Sequence, residues 1–448
     1  MAASPSAKKF DIAIVGGGIG GLTLAISLLK HNVPVTIYES ASRFGEIGAG
    51  VGFGPNAARA MELISPQIVE GYQRCVTHQW DSLADVWFTY RVGDQRKANA
   101  DGVVKQKENE GLKVGDKLYD MHYSGGALRG GVHRAHFLNE LIKLIPDSVA
   151  KLGKRLVDIS NADGSGDVLL HFADGTTVRH SAVVGCDGIK SRTREVLLGK
   201  DEAAKAVFSG KYAYRGLIPM DKAVSMLGKE KAENSQMYMG YHGHVLTFPI
   251  EKGKTMNVVA FSSRESWTDP NWVVQTSKED MLHDYNDWSP EIKAIISTME
   301  KRDIWALFQH PPAKTYYSLQ PRICLLGDAA HATTPHQGAG AGLTVEDCLI
   351  LSNLIAEAES LQDLGRAFQA YDEIRRPRTQ KLVVTSQEAG MLYDFELEGD
   401  DLDAIERNLA TRMRWIWNID IKAELEKALA IYKGHPHKVQ DGTMSGEA

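Results

Sequence analysis

The period of the hydrophobic positions changes repeatedly along the chain, and each change marks an element. Asp11-Ile12-Ala13-Ile14-Val15 is a near-continuous apolar run, the pattern of a strand buried on both faces of a parallel sheet. Leu22, Leu24, Ala25, Leu28 and Leu29 then follow at helical spacing. Val33 to Tyr38 reads as a second strand ending at Glu39. Between the first strand and the helix stands Gly16-Gly17-Gly18-Ile19-Gly20-Gly21. The chain therefore opens with a strand–helix–strand unit whose first turn is rich in glycine.

Further on, Arg91 to Lys117 is polar and reads as strands with an exposed loop. Arg134 to Ile145 carries Leu138, Leu141 and Leu144 on one helical face. Arg155 to Val184 reads as a β-meander with turns at Asp163-Gly164 and Asp174-Gly175. Four short runs, Tyr212 to Met220, Met237 to Tyr241, Val245 to Ile250 and Met256 to Ser262, predict an antiparallel sheet in a second domain. Trp272 to Met299 reads as amphipathic helix, and Arg322 to Leu326 as another buried strand. Gly338-Ala339-Gly340-Ala341-Gly342 opens a helix to about Ser360, and helices continue from Leu364 to about Tyr432. Met1 to Lys9 and the segment from Gly434 are polar and read as loose ends. This organisation predicts a discontinuous first domain (1–85, 118–204 and 315–365), a β-sheet domain (86–117 and 205–314) and a C-terminal helical region (366–448).

Composition narrows the function. The net charge of -6 provides no basic field for nucleic acid. The four cysteines stand at 75, 186, 324 and 348 with no CxxC pair, which leaves zinc ribbons and dithiol redox motifs unsupported. They are too sparse for a disulfide scaffold, so a reducing, cytoplasmic setting and no metal are expected. The apolar run Phe10 to Leu29 is interrupted by five glycines, unlike a signal core or a membrane span.

The glycine turn carries chemistry. In Gly16-x-Gly18-x-x-Gly21 the first glycine permits a tight turn, the second lets the backbone approach a pyrophosphate, and the third lets helix and strand pack closely. Phosphates would meet N–H groups at the helix N-terminus. Glu39, 18 residues beyond Gly21, stands where an acid bonds a ribose diol. Asp328, just after the strand Arg322 to Leu326, would face a cofactor crevice, though an aspartate before Ala329-Ala330 also reads as a helix cap. Arg134 opens a helix and suits bidentate phosphate contact.

Three motifs in order carry a resemblance: the Gly16–Gly21 turn with Glu39; Asp187-Gly188-Ile189-Lys190-Ser191-Arg192-Thr193-Arg194; and Gly327-Asp328-Ala329-Ala330-His331 with Pro335. Together they resemble the single-component FAD-dependent aromatic hydroxylases, whose best-known member acts on para-hydroxybenzoate. Pro335-His336-Gln337-Gly338-Ala339-Gly340-Ala341-Gly342, Tyr371-Asp372-Glu373-Ile374-Arg375-Arg376-Pro377-Arg378, and Gly45 to Gly50 with Pro55-Asn56 are most similar to salicylate hydroxylases. One departure is Leu343-Thr344-Val345-Glu346-Asp347, where the family commonly has Gln-Ala-Ile-Glu-Asp. The resemblance implies an α/β fold: a Rossmann-like FAD-binding domain, an inserted antiparallel substrate sheet and C-terminal helices. It implies bound FAD, with NADH or NADPH as co-substrate. It places Gly16, Gly18, Gly21, Glu39, Gly50, Arg134, Asp328, Pro335, Gly338, Gly340, Ala341 and Gly342 around the flavin. It also gives Asp187-Gly188 a role bridging flavin and nicotinamide, where the residues alone also read as a turn, with Ser191 and Arg194 capping and charging a helix.

The implied activity is hydroxylation of a small phenolic acid by dioxygen through a flavin hydroperoxide, with salicylate or an orsellinate-like acid as substrate and loss of carbon dioxide. Hydroxylative dearomatisation of a polyketide-derived resorcinol aldehyde is a close alternative. An oxidase or dehydrogenase without oxygen transfer, and a non-catalytic flavin-binding protein, are alternatives of other classes. The chain would work as a monomer or homodimer, without nucleic acid. For the substrate, Arg215 is the first candidate partner of a carboxylate, on a strand where Tyr214 faces the other way. His336 is the candidate acceptor of a phenolic proton. Tyr238 is a further candidate catalytic residue, with Tyr241 and His244 expected to line the same sheet beside the substrate, and Trp415 and Trp417 are expected in helix packing.

Overall fold

The computed structural model describes residues 8–45, 50–123, 130–162, 166–300 and 303–434. The turn expected at Asp163-Gly164, most of the Gly45 to Gly50 motif and most of both loose ends thus lie outside the described residues.

Ile12–Val15 is buried at every position. It lies between Ala182–Gly185 and Val35–Tyr38, both parallel to it, which explains its lack of polar alternation. Arg322–Leu325 extends the sheet in parallel beyond Ala182–Gly185, and Tyr317–Leu319 and Ala150–Lys151 complete its edges. Helices Ile19–Lys30 and Gly340–Glu357 pack on this six-stranded sheet as one apolar core. The meander becomes a separate three-stranded sheet, Leu156–Asn161, Val168–Phe172 and Thr177–His180, before Ala182–Gly185 enters the parallel one.

The second sheet has eight strands. Val207–Pro219 lies at its centre, paired antiparallel with Thr255–Ser263 and Asp303–Gln309. Gly243–Ile250, Gln236–Gly240, Val86–Val92 and Lys117–His122 continue it on one side. One pair is parallel, Gln236–Gly240 with Val86–Val92. Lys117–His122 belongs to this sheet, so the chain leaves it after residue 122 and not at 118. Trp272 to Met299 is not one helix. Val273–Gln275 pairs as an edge strand with Asp303–Gln309, and Ser277 and Ser289 cap two separate helices, Lys278–Asp284 and Pro290–Thr298. The β-branched pair Val273-Val274 fits the pleat, and each serine accepts an N–H of the turn it starts.

The large sheet has two unlike faces. Tyr212, Tyr214, Tyr238, Val245 and Val258 pack outward under the flanking helices with Trp288 and Ile292. Ala213, Met237, Leu246 and Phe261 face inward to the C-terminal helices, including the 33-residue helix Leu361–Tyr393. Among the described residues no helix is long and apolar enough to cross a membrane.

Candidate active site

A cavity of about 1190 Å³ opens between the parallel sheet and the inner face of the large sheet. Its walls at one end are polar backbone and glycine, and at the other end they are Met237, Leu246, Phe248, Val259 and Phe261. Gly16, Gly18, Glu39, Gly50, Arg134, Asp187, Arg215, Asp328, Pro335, His336, Gly338, Gly340 and Ala341 all line it. Two strand-to-helix turns therefore converge there from sequence positions more than 300 residues apart.

The glycine turns are shaped by contact. Gly16 has φ +105, and a Cβ on it would lie 2.3 Å from the carbonyl oxygen of Cys186 on the neighbouring strand. A Cβ on Gly21 would lie 2.0 Å from the carbonyl of Gly16, so Gly21 serves helix–strand packing and stays outside the cavity. Gly338 sits at φ +60, and a Cβ there would lie 2.9 Å from the Trp87 ring. Gly342 does not reach the cavity. A Cβ on it would meet Ala57 and Asn56, which makes it a helix-packing position. Helices Ile19–Lys30 and Gly340–Glu357 both begin without a side-chain cap. These turns therefore offer an anionic, flat cofactor close backbone approach and two helix N-termini.

Glu39 is fixed at the end of its strand. Its Oε2 accepts the Gly17 N–H at 2.7 Å, and its Oε1 accepts the Ala41 N–H at 2.7 Å. Asp328 occupies the first position of the short helix Asp328–His331 and is exposed to the cavity. Asp187 is engaged internally. Its carboxylate accepts from Ser191 Oγ at 2.5 Å, and from Thr193 N–H at 2.9 Å and Thr193 Oγ at 3.0 Å. Burial raises its pKa, against the opposing effect of those hydrogen bonds. Ser191 caps helix Arg192–Leu198 by accepting the Arg194 N–H, and Asp187 supports that cap and the first turn through Ser191 and Thr193. Arg194 ties this motif to the next, donating to the carbonyls of Ala329 and Ala330 at 3.1 and 2.6 Å.

The motifs around Asn56, Glu346 and Arg375 form one buried ionic cluster. Asn56 donates to Glu346 at 2.7 Å, and Arg375 reaches Glu346 and Asp347 at 2.8 and 2.7 Å. Asp347 also holds His331 at 2.6 Å. Burial raises Asp347, but His331 and Arg375 outweigh it and keep the carboxyl below its ordinary range. Thr344, at the departure from the family pattern, contacts both cofactor turns: a Cβ on Gly20 or Gly327 would lie 2.8 or 2.9 Å from its Cγ2.

At the apolar end, Arg215 lies on the inward face, opposite Tyr212 and Tyr214, which donate to Asp284 on the outer side. Its guanidinium stacks over Trp305 at 4.7 Å. Its Nε is buried and finds no hydrogen-bond partner among the described residues. Burial, with repulsion from Arg134, lowers its pKa to about 10. His336 is buried and its Nδ1 lies 3.2 Å from His244 Nε2.

Tyr238 is not in the cavity. It belongs to the outward alternation of its strand, and its hydroxyl donates to Glu291 at 2.7 Å beneath the flanking helices. Met237 takes the inward position instead. Tyr241 is likewise turned away, bonded to Asp400. Trp417 packs in the helical core but also backs the cavity wall, with its ring 6.2 Å from Trp87.

Residues 159–386 match a family model described as FAD binding domain, and residues 14–50 match a NAD(P)-binding Rossmann-like domain. The 6-methylsalicylate 1-monooxygenase of Aspergillus terreus is 40% identical over 95% of this chain and 93% of its own length. A salicylate hydroxylase of Pseudomonas putida is 36% identical over 94% of each chain. The chain belongs to the FAD-dependent monooxygenases. A solved salicylate hydroxylase in complex with substrate superimposes on this monooxygenase with a TM-score of 0.80 at 32% identity, covering 95% of this chain and 98% of that one. The family confirms FAD as cofactor and the Rossmann-like fold with an inserted sheet and C-terminal helices.

The sequence reading missed Trp87, Met237, Leu246 and Phe261 on the cavity wall. Alternation along each strand could have found the inward set once Arg215 fixed the phase of its own strand. The pairing of His244 with Asp394, 150 residues apart, had no local signal.

Proposed function

We propose that this monooxygenase uses NADH or NADPH and dioxygen to hydroxylate a phenolic acid of the salicylate or orsellinate class, with loss of the carboxyl group. The observation that carries this reading is Arg215, a half-buried guanidinium at the apolar end of the cavity whose Nε is buried without a hydrogen-bond partner and which has no ion-pair partner among the described residues. Such a cation calls for an anion from the ligand, and a benzoate carboxylate matches its fork.

Bound FAD supplies reducing equivalents from the nicotinamide and the activation of dioxygen. The turn Gly16–Gly21 would hold its pyrophosphate, Glu39 a ribose diol, and Asp328 the ribityl hydroxyls. Gly338, Gly340 and Ala341 would bring backbone against the ring, and Arg134 would offset phosphate charge. Arg215 orients the substrate by its carboxylate. Met237, Leu246, Val259 and Phe261 exclude water from the aromatic ring. Burial, together with His244, Lys211 and Arg412, holds His336 well below the ordinary histidine range, so it is neutral and able to accept the phenolic proton.

A screen of hydroxybenzoates for stimulated NAD(P)H oxidation, with product masses, tests the reading. The expected product carries one oxygen from dioxygen and has lost carbon dioxide. Hydrogen peroxide in place of an oxygenated product identifies an oxidase. Preferential turnover of a neutral resorcinol aldehyde would transfer the role of Arg215 to another anion.

A further inference from the structure

The inner face of the large sheet carries a cross-strand row of side chains from Arg215 to Met237. Arg215 stands opposite Val259, Val259 opposite Leu246, and Leu246 opposite Met237. All four line the cavity. Neighbouring strands lie about 4.8 Å apart, so the row is about 14 Å long. The Arg215 guanidinium lies over Trp305, on the strand Asp303–Gln309 at the other side of its own strand. The charged head of the row therefore leans away from Met237, and the rest of the row is apolar. Phe261 and Phe248 line the cavity on either side of the row, Phe261 beyond Val259 and opposite His244, Phe248 beyond Leu246 and opposite Asn257. Tyr90, opposite Met237 on the next strand, is fully buried and ends the row. The glycine turns that would seat the flavin press on other side chains of the sheet. A Cβ on Gly50 or Gly131 would lie 2.4 or 2.9 Å from the Phe248 ring, and one on Gly52 or Gly338 would lie 2.5 or 2.9 Å from the Trp87 ring.

We propose that Val259, Leu246 and Met237 form a specificity groove for an apolar arm on the substrate, an alkyl chain of several carbons carried meta or para to the carboxyl group. The inference rests on the phenolic-acid reading above and adds the length and position of one substituent.

Length and polarity both favour such an arm. A benzoate held by Arg215 spans little more than one strand spacing, so its ring covers the near part of the row. Met237 stands further along, where an unsubstituted ring leaves the wall uncovered. A polar substituent there would be desolvated without a partner, because Val259 and Leu246 offer no hydrogen-bonding group and Met237 only a weak thioether acceptor. A hydrocarbon chain removes its own surface and that of the wall from water together. Phe261 and Phe248 confine the chain to the line of the row. A substituent ortho to the carboxyl group starts beside Arg215 and points across that line, so the groove favours positions 4 and 5 of a salicylate over position 6. Met237, unbranched and flexible, closes the groove with an adaptable end.

The test uses the FAD-loaded enzyme with salicylate and with its 4-, 5- and 6-alkyl derivatives, methyl to hexyl, reading kcat/KM and product mass. In the 4- or the 5-series kcat/KM should rise about fourfold per methylene and level off once the chain reaches Met237. The 6-series should show no such rise. Met237→Phe shortens the groove and should move the plateau to shorter chains, and Met237→Ala should move it to longer ones. The position of the plateau is the readout, so a general loss of activity does not imitate the result. If Met237→Phe fails to retain flavin, Met237→Ala carries the test. An enzyme that hydroxylates salicylate but gains nothing from chain length at positions 4 and 5 overturns the groove and leaves the phenolic-acid reading standing. A plateau that neither Met237 substitution moves also overturns it. A wild-type enzyme that hydroxylates no phenolic acid overturns the functional reading, and the groove with it.

Discussion

Arg215 is the residue at which stability and function pull apart. A guanidinium without an internal carboxylate destabilises the free protein and favours an anionic ligand. Arg215→Ala should therefore lose roughly two to four powers of ten in kcat/KM for the acid, corresponding to about 3–5 kcal/mol. Arg215→Lys should recover only part of this, because it keeps the charge and loses the fork. Arg215→Met should raise the Tm of the ligand-free enzyme while abolishing acid binding. Unaltered turnover in Arg215→Ala would remove it from the site. His310 makes a second residue-scale case. Burial and the nearby Arg194 push its pKa down to about 3. Its folded value lies below the unfolded one, so the unfolded chain binds the extra proton. The contribution is fully present above about pH 6.5 and is lost as pH falls toward the folded value, at up to about 1.4 kcal/mol per pH unit. His310→Gln should flatten the decline of Tm between neutral pH and pH 5. An unchanged slope would mean that His310 is not buried as a neutral ring.

Among the elements, four helices meet at the buried cluster of Asn56, Glu346, Asp347, Arg375 and His331. Asp347→Asn leaves Arg375 short of a counter-charge and should cost about 3–5 kcal/mol in denaturant unfolding. It should also weaken flavin retention, because His331 belongs to the helix that carries Asp328. Full flavin occupancy and wild-type stability in this variant would show that the cluster does not position the helix. The elements that build this site were readable in proportion to how local their signals are. The Gly16–Gly21 turn, the buried strands and the helix after Gly338 each announce themselves within a dozen residues. Tyr238 was misplaced because its inward or outward phase depends on pairing with Val245 and Arg91, residues of other strands. Val273–Gln275 became a strand through pairing with Asp303–Gln309, a long-range contact that helix propensity does not report. The His244–Asp394 bond depends on how the C-terminal helices settle on the sheet.

At the scale of the molecule, the parallel-sheet core and the inner face of the large sheet are separate apolar clusters, and the cavity lies between them. FAD seated there would touch both, and its binding to the folded chain alone would stabilise it by mass action. With free FAD a hundredfold above its Kd, the added stability is about 2.7 kcal/mol. Stripping the flavin should lower Tm, and re-adding FAD should restore it in a concentration-dependent way. Asp328→Ala sharpens the test, because this carboxylate is exposed to the cavity and fills no core volume. The stripped variant should melt with the stripped wild type, and only the FAD-dependent rise should shift to higher FAD concentration. If instead the stripped variant melts lower while its response to FAD is unchanged, Asp328 serves the short helix it begins and does not hold the cofactor.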